Sequence, residues 1–174
     1  RLLPPLLRAE PVSTMLTVRP LAHTDLHAAN AVCISAFMAS VAPTLDEEGI
    51  NTFLAIAATE AFAARMAQDN LILLAERDQE AAGLIELKQG RHLAMLFVAP
   101  DRQRQGVGRQ LLAAVLPHVH GDLLTVSAAL PSVSAYLDYG FECCGDIGRS
   151  AGLTYQPMQL HLPPAPLASA ATMS

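Results

Sequence analysis

A strand, a glycine-containing turn and a helix follow one another directly between residues 92 and 116. The apolar stretch ends at Pro100, a polar loop then contains Gly106 and Gly108, and a helical pattern of apolar residues follows. Backbone N–H groups at such a helix N-terminus lack an intrahelical partner, and the helix dipole adds partial positive charge. The arrangement is therefore typical of an anion site, above all for phosphate.

Two common phosphate motifs do not fit this loop. A dinucleotide-binding turn needs a third glycine, and the run from Gly106 to Leu111 lacks it. A P-loop needs Gly-Lys-Ser/Thr, which does not follow either.

A third pattern does fit. Residues 103–108 have the form Q/R-x-x-G-x-G/A, an apolar strand precedes them, and Tyr-x-x-x-Gly-Phe follows at residues 136–141. Together these features resemble the acyl-CoA-binding core of the GNAT N-acetyltransferase superfamily. The resemblance implies acetyl-CoA as cosubstrate, with its pyrophosphate on the loop and its pantetheine arm along the strand. The cofactor-binding residues that it implies are Leu96, Phe97, Val98, Gln103, Arg104, Gln105, Gly106, Val107, Gly108 and Arg109.

The chain has 174 residues, which suits one domain with a sizeable core. Its net charge of −5 disfavours nucleic-acid binding, and no apolar run reaches the ~18 residues of a membrane span. Cys33, Cys143 and Cys144 are odd in number and form no C-x-x-C motif, so neither a disulfide framework nor a zinc site is expected. We expect a cytoplasmic protein that binds neither membrane nor nucleic acid.

The hydrophobic pattern predicts the element order β-α-α-β-β-β-α-β-α-β-β, an α/β (α+β) domain with a mixed central sheet flanked by helices. This order matches the GNAT fold over residues 15–162. Residues 1–14 are interpreted as an N-terminal extension outside the core, and residues 163–174 as a disordered tail. We expect helix caps at Thr24 and at the capping box Thr44–Glu47, and a last strand pair at 141–147 and 154–162.

Tyr136 is the candidate general acid. It lies four residues before Gly140, where the resemblance places the tyrosine that protonates the leaving thiolate. A phenol with a pKa of ~10 stays protonated at neutral pH and can donate to a nearby thiolate. Packing of the ring on one face of a short helix is the alternative, and Tyr139 is expected to pack in that way.

His92 is the candidate base, at a strand position where many GNAT proteins carry glutamate. A neutral imidazole with a pKa of ~6.5 can accept a proton near pH 7. Strand alternation predicts that His92, Ala94, Leu96 and Val98 share one face. Glu86 on the neighbouring strand is the reserve base, and water is a further alternative.

Ser127 stands near the place where many relatives have asparagine, and it could donate a hydrogen bond.

The remaining histidines do not predict a metal. His23 and His27 have the spacing of a ligand pair, and His118 and His120 lie close in sequence, but neither set has a third ligand at motif spacing. We expect no metal cofactor, and we read these side chains as solvated.

The sequence therefore predicts transfer of an acetyl group from acetyl-CoA to a primary amine, by direct attack in a ternary complex. A non-catalytic acyl-CoA-binding or regulatory module on the same fold is the alternative, and a plain interaction domain is a third. The amine is not identified by the sequence, and pairing of final strands makes a homodimer a reasonable expectation.

Overall fold

An eight-stranded sheet with helices on both faces makes up the fold, in a computed structural model that describes residues 15–163. The predicted extension 1–14 and nearly all of the predicted tail lie outside the described residues. The strands are β1 (Thr17–Pro20), β2 (Asn70–Arg77), β3 (Glu80–Lys88), β4 (His92–Val98), β5 (Leu123–Ala129), β6 (Glu142–Cys143), β7 (Gly148–Ser150) and β8 (Leu153–His161). The helices are α1 (Leu26–Ser40), α2 (Glu47–Ile56), α3 (Thr59–Met66), α4 (Val107–Val115) and α5 (Val133–Asp138).

The sheet is mixed, as predicted. Its strand order is β1-β2-β3-β4-β5-β8-β6, with β7 paired to β8. Every pair is antiparallel except β4 with β5. Parallel neighbouring strands need a long connection, and the connection between β4 and β5 contains α4.

Each face of the sheet has its own apolar core. The core on the α4–α5 face includes the buried apolar residues of α4, namely Val107, Leu111, Leu112 and Val115. The core on the α1–α3 face includes Phe37, Phe53 and Phe62. Burial of the apolar side chains in these two cores is the main favourable contribution to folding.

Both predicted helix caps are wrong in detail. Thr24 lies inside a short 3-10 helix, His23–Asp25, and Asp25 accepts a hydrogen bond from the backbone of Ala22 at 2.8 Å. The cap of α2 is Asp46, whose carboxylate accepts from the N–H of Gly49 at 3.3 Å. Thr44 instead donates its hydroxyl to the carbonyl of Val41. Several capping-type side chains adjoin each helix start, so local spacing alone does not select among them.

The predicted strand at 141–147 is also shorter than expected. Only Glu142–Cys143 of that range forms a strand, β6, and β7 (Gly148–Ser150) begins just beyond it. Between the two strands, Gly145 has a φ of 82°. A residue with positive φ interrupts regular pairing, and two short strands then pair with β8 at separate places.

Candidate active site

The parallel strands β4 and β5 pair only at their beginnings. His92 is paired with Thr125 and Leu93 with Val126, and no later pair joins these strands within residues 15–163. On its other edge β4 stays paired with β3 as far as Val98. The edge of β4 that faces the gap therefore presents backbone N–H and C=O groups to which an extended ligand could bond.

Two cavities open along this gap. The α2-side cleft has a volume of about 560 Å³ and includes residues of α2, β7 and β8 in its lining. The loop-side cleft has a volume of about 430 Å³ and reaches the start of α4. The residues lining both are Val41, Leu96, Phe97, Ser132 and Tyr136. Because these residues are shared, the two clefts adjoin one another along the gap.

The loop before α4 has the geometry of an anion site. Gly106 caps the helix with a φ of 80°, and Arg104 has a φ of 63°. The left-handed conformation at Gly106 costs little because glycine has no Cβ. A Cβ added there would meet no atom within 4 Å, so the space beside the helix N-terminus is open. The first N–H groups of α4 can bond a phosphate in that space.

Two polar contacts fix this loop to the β2–β3 turn. Arg77 donates to the side-chain oxygen of Gln105 at 2.6 Å, and Arg102 donates to Glu80 at 3.1 Å. Of the ten cofactor residues named from the sequence, nine line the loop-side cleft; Gln105 does not appear in that lining. Its contact with Arg77 points to a role in holding the loop rather than in contacting a ligand.

Packing inside the protein requires glycine at position 108, whether or not a ligand is bound. A Cβ at this position would lie 2.2 Å from the hydroxyl oxygen of Tyr139. The Tyr139 ring is half-buried, lines the loop-side cleft and lies 5.5 Å from the guanidinium carbon of Arg109. The sequence predicted only a packing role for Tyr139, and nothing in the local pattern indicated its contact with α4.

Tyr136 lies where the two clefts meet. Its ring is buried at 6% exposure and packs edge-to-face against Phe141 and Tyr139, at centroid distances of 5.3 and 6.0 Å. Burial raises the pKa of Tyr136, and the nearby Tyr139 raises it further. The hydroxyl therefore stays protonated at neutral pH, as a proton or hydrogen-bond donor at this position requires.

The predicted alternation along β4 is wrong because the strand contains a bulge. Glu86 pairs with Met95 and Leu87 with Leu93, which leaves Ala94 as an extra residue. Leu93 consequently packs in the core on the α4–α5 face, whereas Met95 packs on the α1–α3 face. A bulge shifts the register by one, so His92 does not share a face with Leu96 and Val98.

His92 lies at the closed end of the gap. Its Nδ1 is 2.8 Å from the hydroxyl of Thr125, and that hydroxyl is 3.4 Å from the carbonyl oxygen of Arg91. If the hydroxyl donates to the carbonyl, Nδ1 carries the ring proton and Nε2 keeps a lone pair. Burial lowers the pKa of His92, and the charge of Lys88 lowers it further. The imidazole is thus neutral at pH 7, although Leu93, not His92, is the first β4 residue in the cleft lining.

Glu86 is fully buried on the α1–α3 face. Its carboxylate accepts hydrogen bonds from Nε of Arg65, at 2.9 and 3.2 Å, and from the side-chain amide of Asn70 at 2.7 Å. Arg65 also donates to the carbonyl of Ile56. These contacts join β3 to α3 and to the start of β2, and they satisfy a buried charge that would otherwise be costly.

Helix α2 bridges the α2-side cleft to the β7–β8 turn. A Cβ at Gly49 would lie 2.3 Å from the carbonyl oxygen of Gly152, so the two backbones are in direct contact. Thr52 donates to the carbonyl of Ala151 at 2.6 Å, and Arg149 donates to Asp46 at 2.7 Å. The paired residues are far apart in the chain, and for that reason no local sequence pattern indicated the bridge.

Within residues 15–163 no group of three or more histidine, cysteine, aspartate or glutamate side chains is placed to hold a metal ion. Among the helices of the same range, none combines the length and apolar character needed to cross a bilayer.

The site thus combines a parallel strand pair that separates after its first residues with a glycine-capped helix beside it. Residues 41–162 match the family described as the acetyltransferase (GNAT) domain, and the chain belongs to this family. The fold is similar to that of a GCN5-related N-acetyltransferase structure from Rhodopseudomonas palustris, with a TM-score of 0.76 and 23% identity over 88% of this chain and all of that one. It is also similar to the PaiA N-acetyltransferase from Thermoplasma acidophilum in complex with coenzyme A, with a TM-score of 0.69 and 20% identity over 84% and 99% of the two chains.

One curated relative is similar over a shorter segment. The peptidyl-lysine N-acetyltransferase YiaC from Escherichia coli is 34% identical over 67 residues, which are 38% of this chain and 46% of YiaC. The match thus spans less than half of the relative's length.

Proposed function

We propose that this protein transfers the acetyl group of acetyl-CoA to a primary amine by direct attack in a ternary complex. The carrying observation is the position of Tyr136, which lines both clefts where they join. The loop-side cleft, with its helix N-terminus, would hold the CoA pyrophosphate. The free edge of β4 would bond the pantetheine arm, and the amine would enter from the α2-side cleft.

The proposed reaction uses backbone N–H groups and the Tyr136 hydroxyl of these clefts, together with a base. The amine nitrogen attacks the thioester carbonyl, and backbone N–H groups along the gap can stabilise the developing oxyanion. As the carbon–sulfur bond breaks, the Tyr136 hydroxyl donates to the sulfur. The proton lost by the amine replaces the donated one, so the products are the amide and free CoA thiol.

His92 is the proposed base, acting through a water molecule because it lies just beyond the cleft lining. Glu86 is less suited to the role, since Arg65 and Asn70 already occupy its carboxylate. We propose a structural role for it instead. An amine that enters the cleft as the free base would reduce the need for any protein base.

One observation favours the alternative of a non-catalytic acyl-CoA-binding module. In the part of the chain that the structure describes, no carboxylate and no histidine lines the α2-side cleft. Calorimetric binding of CoA combined with thiol release from acetyl-CoA in the presence of amines separates the two functions. If the protein is an acetyltransferase, thiol release should depend on the amine. Tight CoA binding without such release across a broad amine panel would favour the module.

A further inference from the structure

No charged side chain of residues 15–163 lines the α2-side cleft. Its lining contains no Asp, Glu, Lys, Arg or His among the described residues, and its polar side chains are hydroxyls only. Such a surface offers hydroxyl and backbone groups, but it provides no opposite charge for a second ammonium group or for a carboxylate on a bound molecule. An unpaired charge buried against it would therefore be strongly disfavoured.

One wall of this cleft is aromatic. Phe37 and Phe53 stack with ring centroids 3.9 Å apart, and Phe97 packs edge-on against Phe53 at 5.2 Å. Ile56 and Met95 also line the cleft. Phe37 and Phe53 are buried, at 2% and 6% exposure. A preformed apolar wall of this kind favours an alkyl or aryl group.

The charged residues closest to the cleft in sequence are already paired with one another. Arg149, next to the lining residue Ser150, is 2.7 Å from Asp46 and 3.7 Å from Glu48. On the sheet side, Glu86 is held by Arg65 at 2.9 Å. None of these side chains belongs to the lining, so the body of a bound amine would meet apolar and hydroxyl groups first.

We propose that the acceptor is a primary amine carried on an uncharged apolar body, of the alkylamine or arylalkylamine class. This inference rests on the proposed acetyl transfer and names its substrate class. Polyamines and free amino acids are selected against, because each carries a second charge for which the cleft has no partner of opposite charge. The apolar cleft also favours the neutral form of the reacting amine, which is the nucleophile.

Two matched pairs of amines test the proposal with the intact protein. Hexylamine and hexamethylenediamine differ only in a second amino group, and phenylalaninamide and phenylalanine differ in the carboxylate. We expect kcat/KM for thiol release, and affinity for the CoA complex by calorimetry, to favour the uncharged-body member about tenfold or more. Equal or better values for hexamethylenediamine and phenylalanine would overturn the proposal, and so would a failure of hexylamine to bind.

A charge placed in the lining provides a second test. Ser127 is exposed to the cleft on β5, and Ser127→Asp adds a carboxylate there. The preference for hexylamine over hexamethylenediamine should fall about tenfold in this variant. Ser127→Asn adds a side chain of the same size without charge and should keep the preference. An unchanged preference in a folded Ser127→Asp protein contradicts the proposed role of the cleft.

The substrate class and the proposed function can fail separately. If the amines bind with the expected preference but release no thiol, acetyl transfer fails and the class of bound amine stands. If both members of each pair are acetylated equally well, acetyl transfer stands and the substrate class fails.

Discussion

Tyr136 concentrates the proposed chemistry in one hydroxyl group, so its removal is the most direct test at the scale of a residue. Tyr136→Phe keeps the ring that packs against Phe141, and both folding and CoA affinity should survive. Turnover at saturating acetyl-CoA should fall roughly 10²–10⁴-fold, the usual contribution of a general acid. Tyr139→Phe removes a hydroxyl that faces α4 instead, and its turnover should stay within a few-fold. Similar turnover in the two variants would show that Tyr136 serves packing alone.

If His92 is the base, kcat should depend on pH in a direction set by the surroundings of the imidazole. Burial and then Lys88 lower its pKa, so the imidazole loses its proton at a pH below the ordinary histidine range. If His92 is the base, kcat rises with pH through this lowered pKa and is flat above it. His92→Gln should remove that limb and slow the reaction.

Lys88→Gln provides the control for this assignment. Lys88 is exposed, and its removal takes away the smaller of the two causes that lower the pKa of His92. The limb should therefore move to higher pH while remaining below the ordinary range, since burial persists. A limb that persists in His92→Gln, or that ignores Lys88→Gln, would assign the titration to another group.

At the scale of an element, the loop that begins α4 can be tested with two glycines in the same backbone state. Gly106 and Gly121 have φ values of 80° and 88°, and a Cβ on either would meet no atom within 4 Å. Alanine at each should lower the free energy of unfolding by about 1 kcal/mol, because both positions require positive φ. Gly106→Ala should also weaken CoA binding about tenfold, since its methyl group projects beside the proposed phosphate. Gly121→Ala should bind CoA normally; equal calorimetric affinities would contradict the loop assignment.

At the scale of the whole molecule, the pairing of Glu86 with Arg65 joins the sheet to α3. Arg65→Met leaves a fully buried carboxylate without its cation, and we expect a loss of about 3 kcal/mol in the free energy of unfolding, measured by denaturant titration. The double variant Arg65→Met/Glu86→Leu removes both charges and should recover most of that loss. If the folded double variant retains turnover, Glu86 is structural; a large loss of turnover with normal CoA affinity would make it the base.

Local chemistry made much of this protein predictable from its sequence. The strand, the Gly106 turn and the apolar face of α4 lie within one continuous segment, where hydrophobic periodicity and glycine placement act locally. The same segment, together with the Tyr-x-x-x-Gly-Phe pattern at 136–141, carried the family resemblance, which the match over residues 41–162 confirms. The predicted mixed sheet is confirmed as well. It could be predicted because the order of the elements leaves few alternative topologies.

Only the tertiary structure decided which side chains meet. The bulge at Ala94 places Leu93 and Met95 on opposite faces, a change that alternation along one strand cannot reveal because it arises from pairing with β3. The contact of Gly49 with Gly152 and the pairing of Glu86 with Arg65 join segments far apart in the chain. The uncharged lining of the α2-side cleft has the same origin, since it depends on which faces of α1, α2, β4, β5 and β8 are brought together. Sequence thus determined the loop that begins α4 by local rules, and long-range packing determined the character of the cleft beside it.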